Sequence, residues 1–461
     1  MDRKPSQPFS NPSLPKREIK FYLTSLGCPK NLVESEEMMA KMSLSGMVLV
    51  HEPEEADLLI VNTCGFITPA KQESIDVILD LAELREKNPW QRLVVVGCMV
   101  QRYREQMAAE IPEIDGFVGV EDKQTLLDIV WNVFGQTPMH PINNSFPYAP
   151  RLLATPPHMA YLRISDGCSH QCSYCAIPMI RGKHKSRPME EIVQEARSLA
   201  AGGVKELVIV SQDTTSYGID LYGKAQLSDL LTQLDKIEGL LWIRLMYTYP
   251  HLIDQRLATV FAQSQKLLPY IDMPIQHGDP EILKLMKRGS NDTHIRKAVA
   301  LLREARREMV IRTTVITGFP GERNSHFQTM WDLLKEMDFD RVGVFPYYRE
   351  DSTPAADLPN QVADRVKNKR VATLNEWAAD QARQKNERWM GQIIPVLIES
   401  KNLENGGYFG RYWGQAPEVD GQVLIQGANL PLGEFAPVRI DRADEDNLYG
   451  YAHVEVATPI L

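Results

Sequence analysis

Long apolar runs are missing from this chain of 461 residues, and so is any excess of positive charge. No stretch approaches the roughly 20 apolar residues that a membrane-spanning helix needs, so a membrane role is not expected. The opening residues, MDRKPSQPFSNPSLPKR, lack the apolar centre of a secretory signal. They read as a disordered tail over residues 1–18, with too little to bury. A net charge of −9 argues against broad electrostatic attraction to nucleic acid, although a local basic patch is compatible with it. Cysteine is scarce, at six residues, which excludes a disulfide scaffold in a chain this long. It fits a reducing, cytoplasmic location in which thiols serve metal or catalysis. No internal repeat stands out. The remaining composition, 43% hydrophobic and 24% charged, is that of a globular protein of two to four domains.

The six cysteines fall into two sets of three. Cys28, Cys64 and Cys98 are 36 and 34 residues apart, and each ends an apolar run: IKFYLTSLGC, DLLIVNTC and RLVVVGC. Helical patterns follow every run. This is the βαβα rhythm of a parallel sheet covered by helices, expected over residues 19–135. One βα unit separates successive cysteines, so all three thiols lie at carboxyl ends of strands. Ligand crevices of open α/β sheets form there. The alternative is that the three are inert buried residues, since free cysteine often serves as a small apolar side chain.

A polar, proline-rich stretch ends this segment, and a second βα series is expected over residues 154–385. Its candidate strands are MAYLRIS, ELVIVSQ, LWIRLMY, YIDMPIQ, MVIRTTVITG and RVGVFPY. Six such units predict a barrel or partial barrel with its chemistry at the carboxyl ends of the strands. Gln361 to about Met390 reads as a long polar bridging helix. From there to residue 457 (388–457), short alternating runs with glycine-rich turns predict a small antiparallel β-barrel of the OB-like kind.

The second set of cysteines sits after the first strand of the barrel, in Asp166-Gly-Cys168-Ser-His-Gln-Cys172-Ser-Tyr174-Cys175. Three thiolates in one short loop can wrap one face of a cube-like iron–sulfur cluster and leave one iron open for another ligand. Tyr174 offers an aromatic surface beside it. A zinc site with His170 or His184 as the fourth ligand is the alternative. Other carboxyl-end positions are Gln212 in Ser211-Gln-Asp-Thr214, and Gly318 and Glu322 in Thr317-Gly-Phe-Pro-Gly-Glu322. Arg312 and His277 are expected to point to the same end. The basic run IRGKHKSRP, ending at Pro188, could serve a ligand or be a solvated turn.

The loop resembles that of radical S-adenosylmethionine enzymes. The resemblance implies a 4Fe-4S cluster on Cys168, Cys172 and Cys175, with S-adenosylmethionine on the open iron and split by electron transfer. Tyr174, Gln212, Gly318 and Glu322 would then help to hold that cofactor. Ser25-Leu-Gly-Cys28-Pro-Lys-Asn31, Asn62-Thr-Cys64-Gly-Phe-Ile67 and Val95-Val-Gly-Cys98 resemble the methylthiotransferases of this superfamily. Their second 4Fe-4S cluster would use Cys28, Cys64 and Cys98 and serve sulfur delivery. The C-terminal barrel would be a TRAM domain.

Within that family, QHGDPEILKLMKRG, YYREDSTPAA and APEVDG are similar to the RimO branch, from about Lys20 to about Val456. The resemblance implies methylthiolation at the β-carbon of an aspartate in small-subunit ribosomal protein twelve, with an electron donor and a sulfur source as further partners. From Gly391 onward, four basic residues face ten acidic ones, a net −6. Such a surface disfavours phosphate and suits a basic protein. A tRNA adenosine methylthiotransferase and a non-catalytic cluster carrier are the alternative readings.

Overall fold

The computed structural model describes residues 18–122, 125–135, 148–403, 406–427 and 429–453. The tail expected at 1–18 lies outside these residues except for Glu18, as does most of the proline-rich stretch.

The N-terminal part runs β1 (Lys20–Ser25), α1 (Pro29–Leu44), β2 (Val48–Leu49), β3 (Leu58–Thr63), α2 (Thr68–Lys87), β4 (Arg92–Gly97), α3 (Cys98–Glu110), β5 (Gly116–Val118) and α4 (Leu126–Val133). The strands form a sheet in the order β2-β1-β3-β4-β5, with every pairing parallel. Continuous apolar strands fit a sheet covered on both faces. Phe21, Leu58, Ile60, Val94 and Val96 pack against residues of α1 and α4. Leu59, Val61, Leu93 and Val95 pack against residues of α2 and α3. The short edge strand β2 lies within the brief apolar run Met47 to Val50, too short to stand out beside the longer runs. Strand order reverses between β1 and β3, and in sheets of this order the ligand crevice opens at that point.

The central part begins with β6 (Met159–Arg163) and a small antiparallel pair, β7 (Ser165–Asp166) and β8 (Lys185–Ser186). Helix α5 (Ile177–Arg181) lies between β7 and β8. Then follow α6 (Met189–Ala201), β9 (Glu206–Val210), α7 (Ile219–Tyr222), α8 (Leu227–Asp235), β10 (Trp242–Leu245), α9 (Gln255–Gln263) and β11 (Leu267–Asp272). The series closes with α10 (Pro280–Leu285), α11 (Asp292–Ala305), β12 (Val310–Thr317), α12 (Asn324–Met337) and β13 (Arg341–Pro346). All six expected strands are present, and each pairs in parallel with its predecessor, from β6 through β9 to β13. One face carries Leu162, Ile209, Leu245, Ile271 and Val315, buried under the helices. The other face carries Tyr161, Val208, Trp242, Tyr270 and Val310. Helices on one face only, with strands in sequential order, make this a partial barrel.

Helix α13 (Asp364–Glu387) leads to β14 (Ile393–Lys401), β15 (Tyr408–Arg411), β16 (Val423–Gln426), β17 (Phe435–Ala443) and β18 (Leu448–Ala452). These close into a barrel in the order β14-β15-β16-β18-β17. The fifth strand, β18, follows an acidic turn over residues 444–447. An odd number of strands cannot alternate direction all the way round, so one neighbouring pair must be parallel. That pair is β16–β18; the other four are antiparallel.

The small barrel covers the open inner face of the partial barrel. Leu397 and Ala416 join the apolar cluster of Tyr161 and Tyr270. Beside them, Glu206 is fully buried and accepts from Arg244 Nε at 2.8 Å and Arg411 Nη2 at 2.6 Å. Burial opposes charge on Glu206, but the two guanidinium groups win and hold its carboxyl down at about 2. Arg312 lies here as well, bound to Asp272 at 2.9 Å and near Asp420 at 3.4 Å. It does not point to the cysteine end as the sequence led us to expect. It is the third residue of an eight-residue strand, so its side chain leaves the sheet near the opposite end.

Glu206→Gln should destabilise the protein by about 3–5 kcal/mol, because it leaves buried Arg244 without a carboxylate partner and Arg411 with Glu399 alone. Urea unfolding of the metal-free protein measures this. The folded-state value of Glu206 is depressed, so its contribution is complete above the ordinary value near 4.5 and is lost as pH falls towards about 2.

Candidate functional site

Three loops at the carboxyl edge of the N-terminal sheet carry the first set of thiols. Cys28 is the N-cap of α1, Cys98 is the first residue of α3, and Cys64 follows β3 directly. The loops are in contact. Gly27 has φ +88°, and a Cβ there would stand 2.7 Å from Cys64 Cβ and 3.0 Å from its Sγ. Only glycine fits, on grounds of both backbone and space. Asn31 braces the group by donating to the carbonyls of Leu26 at 3.0 Å and Thr63 at 2.9 Å.

The second set lies above the neighbouring sheet. Cys168 and Cys172 are buried and Cys175 is half-buried. The Tyr249 hydroxyl oxygen lies 3.1 Å from Cys172 Sγ. Arg288 lies over the Tyr249 ring at 3.4 Å. Neither Tyr249 nor Arg288 stands in the cysteine motif, although Arg288 lies in the stretch QHGDPEILKLMKRG. His170 does not behave as a metal ligand. Its Nε2 is 2.6 Å from Asp213 and its ring stacks on Tyr249 at 3.9 Å. His184 Nε2 is 3.2 Å from Ser186. Among the described residues no three His, Cys, Asp or Glu side chains converge as ligands for a single metal ion.

Cys98 sits at a helix N-terminus, which favours thiolate, but desolvation is the larger effect and raises its pKa. Burial, reinforced by Cys28 and Cys98, pushes Cys64 up to about 12. Burial likewise pushes Cys175 up to about 12 and Cys168 up to about 11, with Cys172 as a neighbouring charge in both cases. Thiols in such places hold negative charge when a coordinated cation compensates it, and a metal deprotonates its thiol ligands outright. The donor chemistry of both sets therefore fits a polynuclear metal group.

The remaining candidates divide. Tyr174 packs with Phe319 and Tyr347 and lines a mainly apolar cavity of about 200 Å³. Phe66, Ile67, Gln276 and Glu350 line the same cavity, so its wall joins the Cys64 loop to the Cys175 loop. Gln212 follows β9, and both of its side-chain polar atoms are buried without a hydrogen-bond partner. Unsatisfied buried amides are costly, and a bound polar ligand would relieve this one. Gly318 has φ +77°, and a Cβ there would meet Lys367 Cγ at 2.3 Å. Glu322 shapes the turn instead. Its carboxylate accepts from the N–H groups of Gly318 at 2.6 Å and Phe319 at 3.2 Å, and from Arg370 at 2.8 Å. His277, fully buried, lies 3.6 Å from Glu322 and belongs to the same support.

Parallel strands, a thiol loop after β6 and helices on one face define a radical S-adenosylmethionine type of core. The Radical SAM superfamily model matches residues 162–334. Models described as uncharacterized protein family UPF0004 and TRAM domain match residues 20–119 and 390–452. The fold is also similar to that of the radical S-adenosylmethionine methyltransferase TsrM from Kitasatospora setae. The TM-score is 0.54 at 14% identity, covering 74% of this chain and 77% of that one. The cobalamin-dependent S-adenosylmethionine radical enzyme OxsB gives 0.51 at 12% identity, covering 80% and 56%.

The particular family follows from whole-length similarity. A ribosomal protein uS12 methylthiotransferase RimO of Clostridioides difficile is 44% identical, over 95% of this chain and 100% of that protein. Its counterpart from Pelotomaculum thermopropionicum is 45% identical over 94% and 99%. The chain belongs to the RimO family of radical S-adenosylmethionine methylthiotransferases.

Glu350 holds the cavity wall together. It accepts from Lys71 at 2.7 Å, Thr68 at 2.9 Å and Arg102 at 3.4 Å, tying the N-terminal sheet to the core. Glu350→Ala should cost on the order of 3 kcal/mol by stranding these donors. Hydrogen exchange should quicken first at the amides of residues 68–71.

Proposed function

We propose that this protein methylthiolates the β-carbon of an aspartate in small-subunit ribosomal protein uS12, in the cytoplasm. The observation that carries the reading is the pair of three-thiol sites, on separate parallel sheets, joined by one cavity wall. On this reading Cys28, Cys64 and Cys98 (residues 19–135) hold one 4Fe-4S cluster. Cys168, Cys172 and Cys175 (residues 154–385) hold the other, with S-adenosylmethionine. When bound, these groups supply one-electron cleavage of the cofactor and a methylthio group for transfer.

The chain's own residues bind, orient and exclude water. Gln212 offers an amide with free donors and acceptor to the polar part of the cofactor. Gly318 lets the backbone after β12 approach closely, and Glu322 holds that turn by its N–H groups. Tyr174, with Phe66 and Tyr347, gives the cavity a largely apolar wall that excludes bulk water around the target carbon. A protein substrate is favoured over tRNA by the charge of the barrel at 388–457. Arg411, one of the four basic residues from Gly391 onward, is buried against Glu206 and Glu399. Its groove of about 560 Å³ presents Glu418 and Asp446. No helix among the described residues is long and apolar enough to cross a membrane. The electron donor and the sulfur source are further partners.

Anaerobic reaction of the reconstituted enzyme with reductant, S-adenosylmethionine, sulfide and either uS12 or unmodified tRNA tests the proposal. A methylthio mass gain on an aspartate of uS12 is expected. A gain on tRNA alone would keep the chemistry and overturn the substrate. Alanine at Cys168, Cys172 or Cys175 should abolish deoxyadenosine formation. Alanine at Cys28, Cys64 or Cys98 should spare some cleavage and stop methylthiolation, with about half of the iron retained in either case.

A further inference from the structure

Arg181 is the last residue of α5, six positions after Cys175, and its side chain is 1% exposed. Its Nη1 donates to Glu34 Oε1 at 2.6 Å and Asp166 Oδ1 at 3.0 Å. Its Nη2 donates to Asn31 Oδ1 at 2.6 Å, Glu34 Oε2 at 3.1 Å and Cys98 Sγ at 3.3 Å. Cys98 also packs on Ala176 and Ile180, the residues just before and within α5. The loop after one set of cysteines thus delivers a fixed cation to a thiol of the other set.

We propose that Arg181 is a positioning residue for the Cys28/Cys64/Cys98 site, holding the Cys98 sulfur in its ligating orientation and setting the reduction potential of the group bound there. The inference rests on reading those three cysteines as ligands. Arg163 also ties Glu34 at 2.9 Å and Glu37 at 2.8 Å to the core, so docking does not rest on Arg181 alone and its contact with Cys98 is additional to it. Two carboxylates and the Asn31 amide oxygen hold the guanidinium fork, and the two N–H groups of Nη2 are shared among Asn31, Glu34 and the Cys98 sulfur at 3.3 Å. Hydrogen bonds to ligating sulfur, together with charge and burial, raise the potential of iron–sulfur groups by stabilising their reduced form. A lysine is a single point charge and cannot bridge carboxylate, amide and sulfur together.

The test uses the full chain with Cys168, Cys172 and Cys175 all changed to alanine, so that iron bound after anaerobic reconstitution belongs to the first site. Iron per chain and the midpoint potential, by titration followed with electron paramagnetic resonance, are compared for this parent, Arg181→Lys and Arg181→Gln. Both substitutions should move the potential to more negative values. Arg181→Gln should also lower retained iron severalfold, with partial rescue by lysine. In the reciprocal background, with Cys28, Cys64 and Cys98 changed to alanine, Arg181→Gln should leave iron and spectrum at the loop site unchanged. Unaltered iron and potential in both variants would overturn the proposal. Equal loss of iron at both sites would do so too, by assigning Arg181 a general structural role. A parent that binds no iron at all would instead overturn the reading of the first site on which this rests.

Discussion

A seam of buried ion pairs along α1 fixes where the two three-cysteine sites stand relative to each other. Glu34, Glu36 and Glu37 of this helix all reach arginines that follow the N-terminal sheet in the chain. Arg163 and Arg181 of the core engage Glu34, and Arg163 also reaches Glu37. Arg151 bridges Glu36 and Glu195. Buried ion pairs add little net stability, because desolvation offsets their attraction. Their contribution here is geometric: a mismatched docking would leave several charges buried and unpaired, so one arrangement is strongly preferred. Cys28, at the start of the same helix, is thereby fixed with respect to the core.

Desolvation then acts twice on the chemistry. It pushes up Cys64, Cys98, Cys168 and Cys175 while they are alone, and it strengthens every interaction they make with a cation. The same low-polarity setting makes the free amide of Gln212 a costly feature unless a ligand satisfies it. Apolar walls from Phe66, Tyr174 and Tyr347 extend that setting into the space between the sites. Binding groups and water exclusion therefore have one physical origin, the close packing of the N-terminal sheet on the carboxyl ends of the core strands.

The C-terminal barrel solves a different problem. A partial barrel of six strands leaves its inner face uncovered, and Tyr161, Trp242 and Tyr270 would meet water there. The small barrel covers this face and brings Arg411 to Glu206. Covering the inner face at that end leaves the cysteine end for substrate. The acidic turns of the small barrel remain at the surface, where they repel phosphate.

The sequence by itself determined the two parallel sheets, the strand ends that carry all six cysteines and the family of the chain. These are written in short-range pattern: apolar runs, βα spacing and a compact cysteine motif. It did not show the strands at Val48–Leu49 and Leu448–Ala452, which are short or lie beside acidic turns and gain their pairing from neighbours. Tertiary structure alone decided that Arg312 serves the barrel interface, that Glu322 braces a turn, and that Arg181, in a stretch that could pass for a solvated basic turn, reaches Cys98. A long charged side chain can point several ways from one backbone position, and only the charges brought to it by distant parts of the chain select among them.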